Sequence, residues 1–531
     1  MSIWGDVANL VRLANMGRVL ARHDALMELD ALGKPPLAVR AGRKILRLFA
    51  PRSKAGNKDG QGPLAAALTE LGPSHIKFGQ FLATRRDIVG EQIAEELSHL
   101  QDKLPPFAHD LALKEIDKGL GEPHDKLFRH IGPAIAAASI AQVHKAQVED
   151  EKGVRDVAVK VLRPGIEERF RRDISVYFTA ARIFEKIHPP ARRLRPVAVV
   201  ETMAHSVELE MDLRLEAAAI SEMAENTAGD DDFGVPEVDW ERTSRRVLTT
   251  AWIDAIPLNR IEQIRAAGID LKKLANTIIR SFLRHAMRDG FFHADMHQGN
   301  LFVEPGGKVI AVDLGIMGRL SFKDRHFLAE ILYGFIHGEY MRISRVHFDA
   351  GYVPGHQSVA TFAQALRAIG EPLMGKQAED ISMARLLGQL LAVTEQFDMQ
   401  TQPQLILLQK TMVVVEGVAR NLDPDLNMWA AAAPVVEEWM RRHLGPEGIL
   451  KEAKNSAAAL GNTLIHMPDI LDDAREGMQL LAQMGRGGGV HLDEASITAL
   501  ARTRADQSAA NRLSFWLGLA IALLTGLWLF Y

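Results

Sequence analysis

The chain has 531 residues, 47% of them hydrophobic and 24% charged, which is the composition of an ordinary globular protein. This length is enough for two or more hydrophobic cores, or for one enlarged two-lobed domain with extensions. A formal net charge of −4 argues against a protein that binds nucleic acid, and the absence of cysteine excludes disulfides, thiolate metal sites, cysteine-ligated iron–sulfur clusters and a cysteine nucleophile.

Residues 1–62 are predicted to form a basic N-terminal arm. Within it Ile3, Val7 and Leu10 recur at helical spacing and predict an amphipathic helix. Residues 1–60 carry eleven Lys or Arg against five Asp or Glu, a balance that favours contact with an anionic membrane surface. Packing of this helix against the rest of the protein is the simpler interpretation.

A helical extension is predicted for residues 63–130. Ser74 is the candidate N-cap of a helix that carries Lys77, Gly79 and Gln80. The lysine and the glutamine are three residues apart and therefore share one face of that helix. A glycine costs about 1 kcal/mol in a helix, which indicates that another group approaches the backbone closely at this point. The bland alternative is a solvated Lys–Gln pair.

Residues 131–258 are predicted to form the smaller, N-terminal lobe of a kinase-like domain, in which strands begin at Ile131. A loop of small residues, Ala136 to Ser139, precedes one strand, and the sequence V-A-V-K places Lys160 on the next. In protein kinases a glycine-rich loop in this position covers the phosphates of the nucleotide, and the lysine contacts them. Alanine makes the loop stiffer than glycine would. Residues 253–258 are predicted to be the hinge where an adenine would sit between two lobes.

An acidic helix is predicted around Val207 to Ala219, and it also contains Glu210. Glu208, Asp212 and Glu216 follow one another at four-residue spacing and would lie on one stripe, where they repel each other unless cations face them. A solvated acidic face is one interpretation. The alternative is that one acid pairs with Lys160 and that others meet Lys77.

Residues 291–315 hold the strongest candidate for a catalytic site. His293, Asp295 and Asn300 form the pattern H-A-D-x-x-x-x-N, and a predicted hairpin then leads to D-L-G at Asp313. The spacing is that of the protein-kinase motifs H-R-D-x-x-x-x-N and D-F-G, with Arg and Phe replaced. Acids and an amide so arranged suit phosphoryl transfer, in which the protein positions Mg²⁺ and the nucleophile.

Two other interpretations of the same stretch remain open. His293, Asp295 and His297 alternate along an extended segment and could be metal ligands, or the cluster could simply be satisfied by backbone hydrogen bonds. Other nucleotide-binding signatures are missing from the sequence: no Gly-Lys is followed by Ser or Thr, and no G-x-G-x-x-G opens a βαβ unit.

The C-terminal half is predicted to be helical. Residues 259–445 would form a helical lobe, and residues 446–512 a further helical section with a glycine-rich linker. Residues 513–531 carry no charge, and their length is close to the roughly 20 residues that a bilayer core requires. Three arginines precede them, which by the positive-inside rule keeps the body of the protein cytoplasmic. The alternative for this segment is a buried terminal helix in a homodimer.

Taken together, these motifs resemble the UbiB family of atypical, kinase-like ATPases of ubiquinone biosynthesis. The resemblance runs from about residue 63 to residue 422 and rests on LGPSHIKFGQFLATRRD, AAASIAQVHKA, VAVKVLRPGI, the pair Glu210-x-Asp212, FFHADMHQGN, AVDLG and PQLILLQKTMVVVEGVARNL. It implies an α+β, atypical protein-kinase-like fold of two lobes, a small antiparallel sheet lobe and a helical lobe. An N-terminal helical extension and a C-terminal transmembrane helix complete the implied architecture.

The resemblance also implies roles for individual residues. The Lys-x-Gly-Gln motif, here Lys77 to Gln80, would fold over the active site, meet the Glu-x-Asp motif and occlude the place of a protein substrate. Asp295 becomes the catalytic aspartate, and Asn300 and Asp313 become the Mg²⁺ ligands. The implied nucleotide-binding residues are Ala136, Ala137, Ala138, Ser139, Ile140, Ala141, Gln142, Val143, Lys160, its partner Glu216, Glu210 and Asp212.

The implied function is that of an ATPase that binds Mg-ATP or Mg-ADP and supports ubiquinone biosynthesis at the inner membrane. It would act on or extract prenylphenol intermediates, or organise the enzymes that convert them; its partners would be membrane lipid, prenylated phenols and quinones, and other ubiquinone-biosynthesis proteins. The alternative is a kinase that phosphorylates a protein or small molecule of that pathway. Hydroxylation of the 2-polyprenylphenol ring is disfavoured, since no dinucleotide fingerprint or iron triad is found. Relatives often end in two hydrophobic segments, whereas this chain has one.

Overall fold

The computed structural model describes residues 3–25, 62–83, 89–98, 104–150, 153–187, 195–374 and 403–444, with a few single residues between these ranges. The sections predicted at residues 446–512 and 513–531, including the transmembrane segment, lie outside the described residues. Within the described ranges, no helix combines the length and the apolar character that crossing a membrane requires.

Helices dominate both ends of the described chain, and strands lie between them. The helices are α1 (Ile3–Arg22), α2 (Pro63–Leu71), α3 (Pro73–Ala83), α4 (Glu91–Ser98), α5 (His109–Leu120), α6 (His124–Leu127), α7 (Ile166–Ile187), α8 (Pro196–Glu210), α9 (Leu213–Asn226), α10 (Ile261–Ala266), α11 (Leu271–Arg284), α12 (Phe322–His337), α13 (Tyr340–Asp349), α14 (Val359–Met374), α15 (Pro403–Leu422) and α16 (Met428–Leu444). The strands are β1 (His130–Ala137), β2 (Ala141–Asp150), β3 (Gly153–Leu162), β4 (Phe233–Gly234), β5 (Val247–Ala251), β6 (Ile256–Pro257), β7 (Phe291–His293), β8 (Leu301–Val303), β9 (Val309–Ala311) and β10 (Met317–Arg319).

The first four helices share one hydrophobic core, to which Val19, Leu68 and Leu97 contribute buried side chains. Helix α1 also lies against α7: Asn9 Nδ2 donates to Thr179 Oγ1 at 3.2 Å. The predicted N-terminal helix is therefore confirmed, and α1 packs against the rest of the protein as the simpler interpretation proposed. Burial of Val19 in the shared core helps to stabilise the helix, because most helices in proteins depend on tertiary packing.

The predicted N-cap at Ser74 is wrong. Helix α3 begins one residue earlier, at Pro73, because proline has no N–H to leave unsatisfied and its fixed φ suits the first helical position. Ser74 is fully buried inside the first turn, and its hydroxyl donates instead to the carboxylate of Asp173 on α7. Ser74 therefore connects the extension to α7.

The strand lobe is a four-stranded antiparallel sheet in the order β1-β2-β3-β5. Because side chains alternate between the faces of a strand, Val157, Val159 and Val161 point to the same face. All three are fully buried in a core that also contains Ile116 of α5. Lys160, between two of them, therefore points to the opposite face of the sheet.

The prediction of one continuous acidic helix through residue 212 is wrong, because the helix is interrupted there. Helix α8 ends at Glu210, and α9 begins at Leu213. Asp212 between them has an extended backbone, and its side chain accepts a hydrogen bond from the backbone N–H of Arg214 at 3.2 Å. An aspartate favours this N-cap position over a helix interior, since its carboxylate satisfies an amide of the first turn.

The second lobe combines short strands with long helices. Strands β8 and β9 form the hairpin that the sequence predicts, with Val303 opposite Val309. Strand β4 joins β9 in parallel, β6 joins β8 antiparallel, and β7 pairs with β10. Helix α11 buries one apolar face, including Leu274, Ile278 and Phe282, and leads through a π-helical turn into β7. The polar ends of these short strands are thereby placed beside one another.

Candidate active site

Lys160 is at the centre of a charged cluster. Its Nζ donates to both carboxylate oxygens of Glu216, at 2.8 and 2.9 Å. The same nitrogen donates to Asp313 Oδ1 at 2.9 Å. The three residues come from β3, from α9 and from the segment after β9. The structure thus brings together the lysine, the helix glutamate and the D-L-G aspartate, which are more than 50 residues apart in sequence.

The surroundings of this cluster separate the pKa values of its two acids. Lys160 lowers the pKa of the Asp313 carboxyl to about 2. Burial raises the pKa of Glu216 to about 7 in spite of the opposing effect of Lys160, because Asp313 also adds negative charge nearby. Burial alone would lower the pKa of Lys160, but Asp313 and Glu216 outweigh it and hold that pKa above its ordinary value. The lysine is therefore an ammonium, and Asp313 a carboxylate, at neutral pH.

The loop with Asp295 and the strand end before Asp313 are joined through Asn300. Asn300 Nδ2 donates to the backbone oxygen of Asp295 at 3.1 Å, and the Val312 amide donates to the Asn300 backbone oxygen at 2.9 Å. Asp313 itself has φ 58°, in the left-handed region that aspartate tolerates better than most residues. Unusual backbone conformations of this kind occur preferentially at functional sites.

Asp313 and Asn300 fit a magnesium ion chemically. The Asp313 side chain is half exposed and anionic, and the Asn300 amide nitrogen already has a partner, which leaves the amide oxygen to face a cation. Oxygen ligands of this type are those that Mg²⁺ prefers. Asp295 is also accessible, since 43% of its side chain is exposed.

The two histidines of this stretch have local structural contacts. His293 is buried; its Nδ1 accepts the backbone N–H of Asp295 at 3.1 Å, so its Nε2 donates to the Val312 carbonyl at 3.3 Å. Burial lowers the pKa of His293. His297 Nδ1 accepts the Gly299 amide at 3.0 Å. In the part of the chain that the structure describes, no group of three or more acidic or histidine side chains is arranged to hold a metal ion.

The small-residue loop is shorter than the sequence predicts. Ala136 and Ala137 belong to strand β1, opposite Val143 and Gln142 of β2. Three residues, 138–140, make the connection, and the Ala138 amide donates to the Ala141 carbonyl at 2.8 Å. Strand β1 thus extends into the alanines, although its pairing with β2 is irregular, with register shifts between Ile131 and Ala134 and between Ala134 and Ala136. We call residues 138–140 the nucleotide turn.

The remaining residues of the predicted nucleotide segment, 141–143, are the first three residues of strand β2. Ala141 and Gln142 are buried, and Val143 faces Lys160 across the β2–β3 pair. The Gln142 side chain is 1% exposed, and its Oε1 accepts the Phe107 amide at 2.9 Å. Gln142 therefore contributes packing and a backbone contact in this structure.

The helical extension reaches the cluster through Lys77. Its Nζ lies 2.8 Å from Glu210 Oε2. Lys77 also contributes to the lowered pKa of Asp313. Gln80 Nε2 donates to the backbone oxygen of Leu100 at 3.3 Å, within the extension itself. The structure thus brings Lys77 to the first acid of the Glu-x-Asp pair.

The second acid of that pair has another partner. Asp212 caps α9, and its Oδ2 accepts from Arg214 Nη2 at 2.7 Å, whereas Glu210 is the acid of the pair that meets Lys77 of the extension at 2.8 Å. Sequence reasoning also gave no role to Arg163, whose guanidinium donates twice to the Ala138 carbonyl in the nucleotide turn. The acceptor is a backbone oxygen, so no residue type in the sequence signals this contact.

A strand lysine paired with a helix glutamate, beside H-A-D-x-x-x-x-N and D-L-G loops, defines the site of a kinase-like protein. The family model described as "ABC1 atypical kinase-like domain" matches residues 99–347. The family model described as "UbiB helical domain" matches residues 366–427. Relatives that align with most of this chain are described as UbiB. The chain therefore belongs to the UbiB family.

Those relatives share the description "Probable protein kinase UbiB". The relative from Marinobacter nauticus is 37% identical, over 88% of this chain and 85% of its own length; that from Xanthomonas oryzae pv. oryzae is 39% identical, over 87% and 83%. The relative from Pseudomonas paraeruginosa is 38% identical, over 89% and 88%. A solved complex of Rv3197 with erythromycin from Mycobacterium tuberculosis is 21% identical, over 75% of this chain and 96% of its own, at a TM-score of 0.46, too low to define a shared fold.

Proposed function

We propose that this chain is an ATPase that binds Mg-ATP and Mg-ADP and supports ubiquinone biosynthesis at the inner membrane. The observation that carries the proposal is the cluster of Lys160 with Glu216 and Asp313. It joins a cation for phosphate oxygens and an anion for Mg²⁺ within one hydrogen-bonded group. Membership of the UbiB family supports the assignment to ubiquinone biosynthesis.

Each residue has a separate task in this proposal. Lys160 binds the phosphates, and Glu216 holds the ammonium in place through two hydrogen bonds. Asp313 and Asn300 would hold Mg²⁺, which when bound neutralises charge on the phosphate oxygens. Asp295 has an exposed carboxylate that can orient a water molecule and accept its proton.

Lys160 Nζ donates to Asp313 Oδ1 at 2.9 Å, so phosphate oxygens that bind to the lysine would compete with this carboxylate. Lys160 would then hold the phosphate oxygens, and Asp313 would be one of the residues that hold Mg²⁺. The exposure of Asp313 favours this arrangement, since half of its side chain is already open to solvent. Glu216 remains bonded to Lys160 throughout and keeps the ammonium in position.

The contacts of Lys77 are the reason why we favour ATP hydrolysis over protein phosphorylation as the function. Lys77 forms an ion pair with Glu210 and helps to lower the pKa of Asp313. Both observations indicate that the helical extension lies close to the proposed nucleotide site. An extension in that place competes with a protein substrate for the same space. Prenylphenols or quinones at the membrane, or the enzymes that convert them, are the partners that we propose.

A protein kinase is the second candidate, and the printed description of the relatives supports it. The experiment that separates the two uses purified full-length protein and radiolabelled ATP, with and without detergent-solubilised prenylphenols. Release of phosphate that the prenylphenol stimulates supports the lipid-coupled ATPase. Transfer of label to a protein component supports the kinase instead. Asp295→Asn is the matched control, expected to retain nucleotide binding and to lose turnover.

We also propose that residues 513–531 anchor the protein in the membrane and that the body is cytoplasmic. The support is the uncharged sequence of this segment and the arginines that precede it. Protein truncated after residue 512 should leave the membrane fraction after a salt wash. Truncated protein that still sediments with membranes would point to the basic N-terminal arm as the anchor.

A further inference from the structure

Arg163 touches the nucleotide turn at two places. Its Nε and Nη2 both donate to the carbonyl of Ala138, at 3.0 and 2.8 Å. Its backbone amide donates to the carbonyl of Ile140 at 2.8 Å. The turn has three residues, so one arginine holds both its first and its last carbonyl. The turn also has a hydrogen bond of its own, from the Ala138 amide to the Ala141 carbonyl at 2.8 Å.

The guanidinium of Arg163 is itself held from the other side. Nη2 also donates to the carbonyl of Pro105 at 2.9 Å, and the guanidinium carbon lies 5.6 Å from the centre of the Phe107 ring. Phe107 is fixed in turn, because its backbone N–H and C=O both bond to the Gln142 side chain, at 2.9 and 3.4 Å. The segment 104–107 therefore acts as a brace behind Arg163.

The brace rests on a buried network with one consistent arrangement of protons. Gln142 Nε2 donates to His144 Nε2 at 2.9 Å, so His144 carries its proton on Nδ1 and donates it to the Gly132 carbonyl at 2.8 Å. Burial lowers the pKa of His144, in agreement with a neutral ring. Fully satisfied buried networks of this kind hold a single geometry.

We propose that Arg163 is a positioning residue of the nucleotide site, which fixes the turn in the conformation that receives the phosphates. The inference rests on the proposed nucleotide binding. Alanine takes the place of glycine in this turn, so the backbone reaches the nucleotide from a single conformation, and Arg163 selects that conformation through the Ala138 carbonyl. Arg163 acts through the turn and does not itself contact the nucleotide.

The chain offers a matched control for this proposal. Arg163 and Arg169 line the same cavity of about 330 Å³. Arg169 Nη2 also donates to a backbone carbonyl, that of Leu71, at 3.0 Å, but this carbonyl belongs to the helical extension and not to the nucleotide turn. Removal of Arg169 therefore perturbs the cavity and its charge while leaving the contacts at Ala138 intact.

The experiment compares Arg163→Met, Arg163→Lys and Arg169→Met in the full-length protein. For Arg163→Met we expect the KM for ATP and the Kd for Mg-ADP to rise about tenfold with kcat within about twofold of wild type. Arg163→Lys should recover part of the affinity, because a lysine can still donate to one carbonyl. Arg169→Met should retain the wild-type KM. An unchanged KM in folded Arg163→Met, or an equal rise in Arg169→Met, would overturn the proposal.

Hydrogen exchange separates failure of this inference from failure of the proposed function. In nucleotide-free protein the amides of residues 138–141 should exchange faster in Arg163→Met and at the wild-type rate in Arg169→Met. Wild-type protein that bound no nucleotide would refute the proposed function, and the exchange rates would still test the positioning role. Equal exchange in all three proteins would refute positioning by Arg163. If Arg163→Met does not fold, the same comparison is made with Arg163→Lys.

Discussion

Replacement of Glu216 by glutamine should remove a pH-dependent loss of stability from the nucleotide-free protein. Burial raises the pKa of Glu216 to about 7, whereas its ordinary value is 4.5. A carboxyl that binds its proton more tightly in the folded state than in the unfolded state lowers stability as the pH rises from the lower value to the higher. At 1.36 kcal/mol per pH unit, a difference of about 2.5 units corresponds to about 3 kcal/mol between pH 4 and pH 8.

The assay is chemical unfolding of wild type and Glu216→Gln in the same detergent buffer at a series of pH values. Relative to wild type, the variant should gain about 3 kcal/mol in free energy of unfolding between pH 4 and pH 8. Neutral buried histidines such as His144 and His293 act with the opposite sign, because burial lowers their pKa values and their contribution is lost as the pH falls. They are present in both proteins and cancel in the difference.

The comparison at pH 4 supplies the reference, since Glu216 is protonated there in both the folded and the unfolded state and differs little from glutamine in shape and charge. Stability curves for wild type and variant that stay parallel up to pH 8 would refute the raised pKa. A variant that loses stability relative to wild type as the pH rises would refute the sign of the shift. Parallel curves would mean that Lys160 fully offsets the effect of burial on the pKa of Glu216, and a reversed sign would mean that Lys160 more than offsets it.

Two further predictions concern the helical extension. Gly79→Ala should lower the free energy of unfolding by about 1–2 kcal/mol, because a Cβ would collide with the side chains of Leu68 and Leu100. Gly417 is the control, since it lies in an exposed and open helical position, and Gly417→Ala should raise the free energy of unfolding by about 0.5–1 kcal/mol. Thermal or chemical unfolding measures both values. Equal effects at both glycines would contradict the close approach. A double-mutant cycle with Lys77→Met and Glu210→Gln should give a coupling energy of about 1 kcal/mol, since both side chains are largely buried, and additive effects would rule out the ion pair in solution.

The sequence was sufficient to predict elements whose pattern is local. The alternation of V-A-V-K placed Lys160 on a strand with its neighbours in the core, and the Pro-Gly-Gly turn predicted the β8–β9 hairpin. Short motifs at fixed spacing also predicted which residues come together, since Lys160, Glu216 and Asp313 meet as the kinase pattern indicates. Such motifs have a fixed relation to the fold because each occupies the end of a particular strand or helix.

The features that the sequence did not predict depend on competition between local choices. Asp212 satisfies helical spacing with Glu208 and Glu216, yet its carboxylate also caps a helix, and the cap prevails. Ser74 looked like a cap, but Pro73 already suits the first helical position and Asp173 accepts the hydroxyl. In both cases the outcome depends on which hydrogen-bond partner is present in space, and spacing along the chain does not contain that information.

Glycine 79 and Arg163 show the same limitation for packing. The helix glycine indicated a close approach, and the structure identifies the approaching groups as leucine side chains of the extension. The role of Arg163 depends on carbonyl oxygens of Pro105 and Ala138, and backbone acceptors leave no trace in residue type. The sequence therefore does not show which groups surround these two residues, because that depends on the tertiary structure.

Magnesium-dependent nucleotide binding by wild type and Asp313→Asn tests the central claim most directly. The carboxylate of Asp313 is anionic at neutral pH, and asparagine removes that charge while it keeps the shape of the side chain. With a fluorescent ADP analogue, wild type should bind in the presence of Mg²⁺ and lose affinity on addition of EDTA. The variant should bind at least about tenfold more weakly with Mg²⁺ and should not respond to EDTA. An affinity in Asp313→Asn equal to that of wild type, with Mg²⁺ present, would contradict the account.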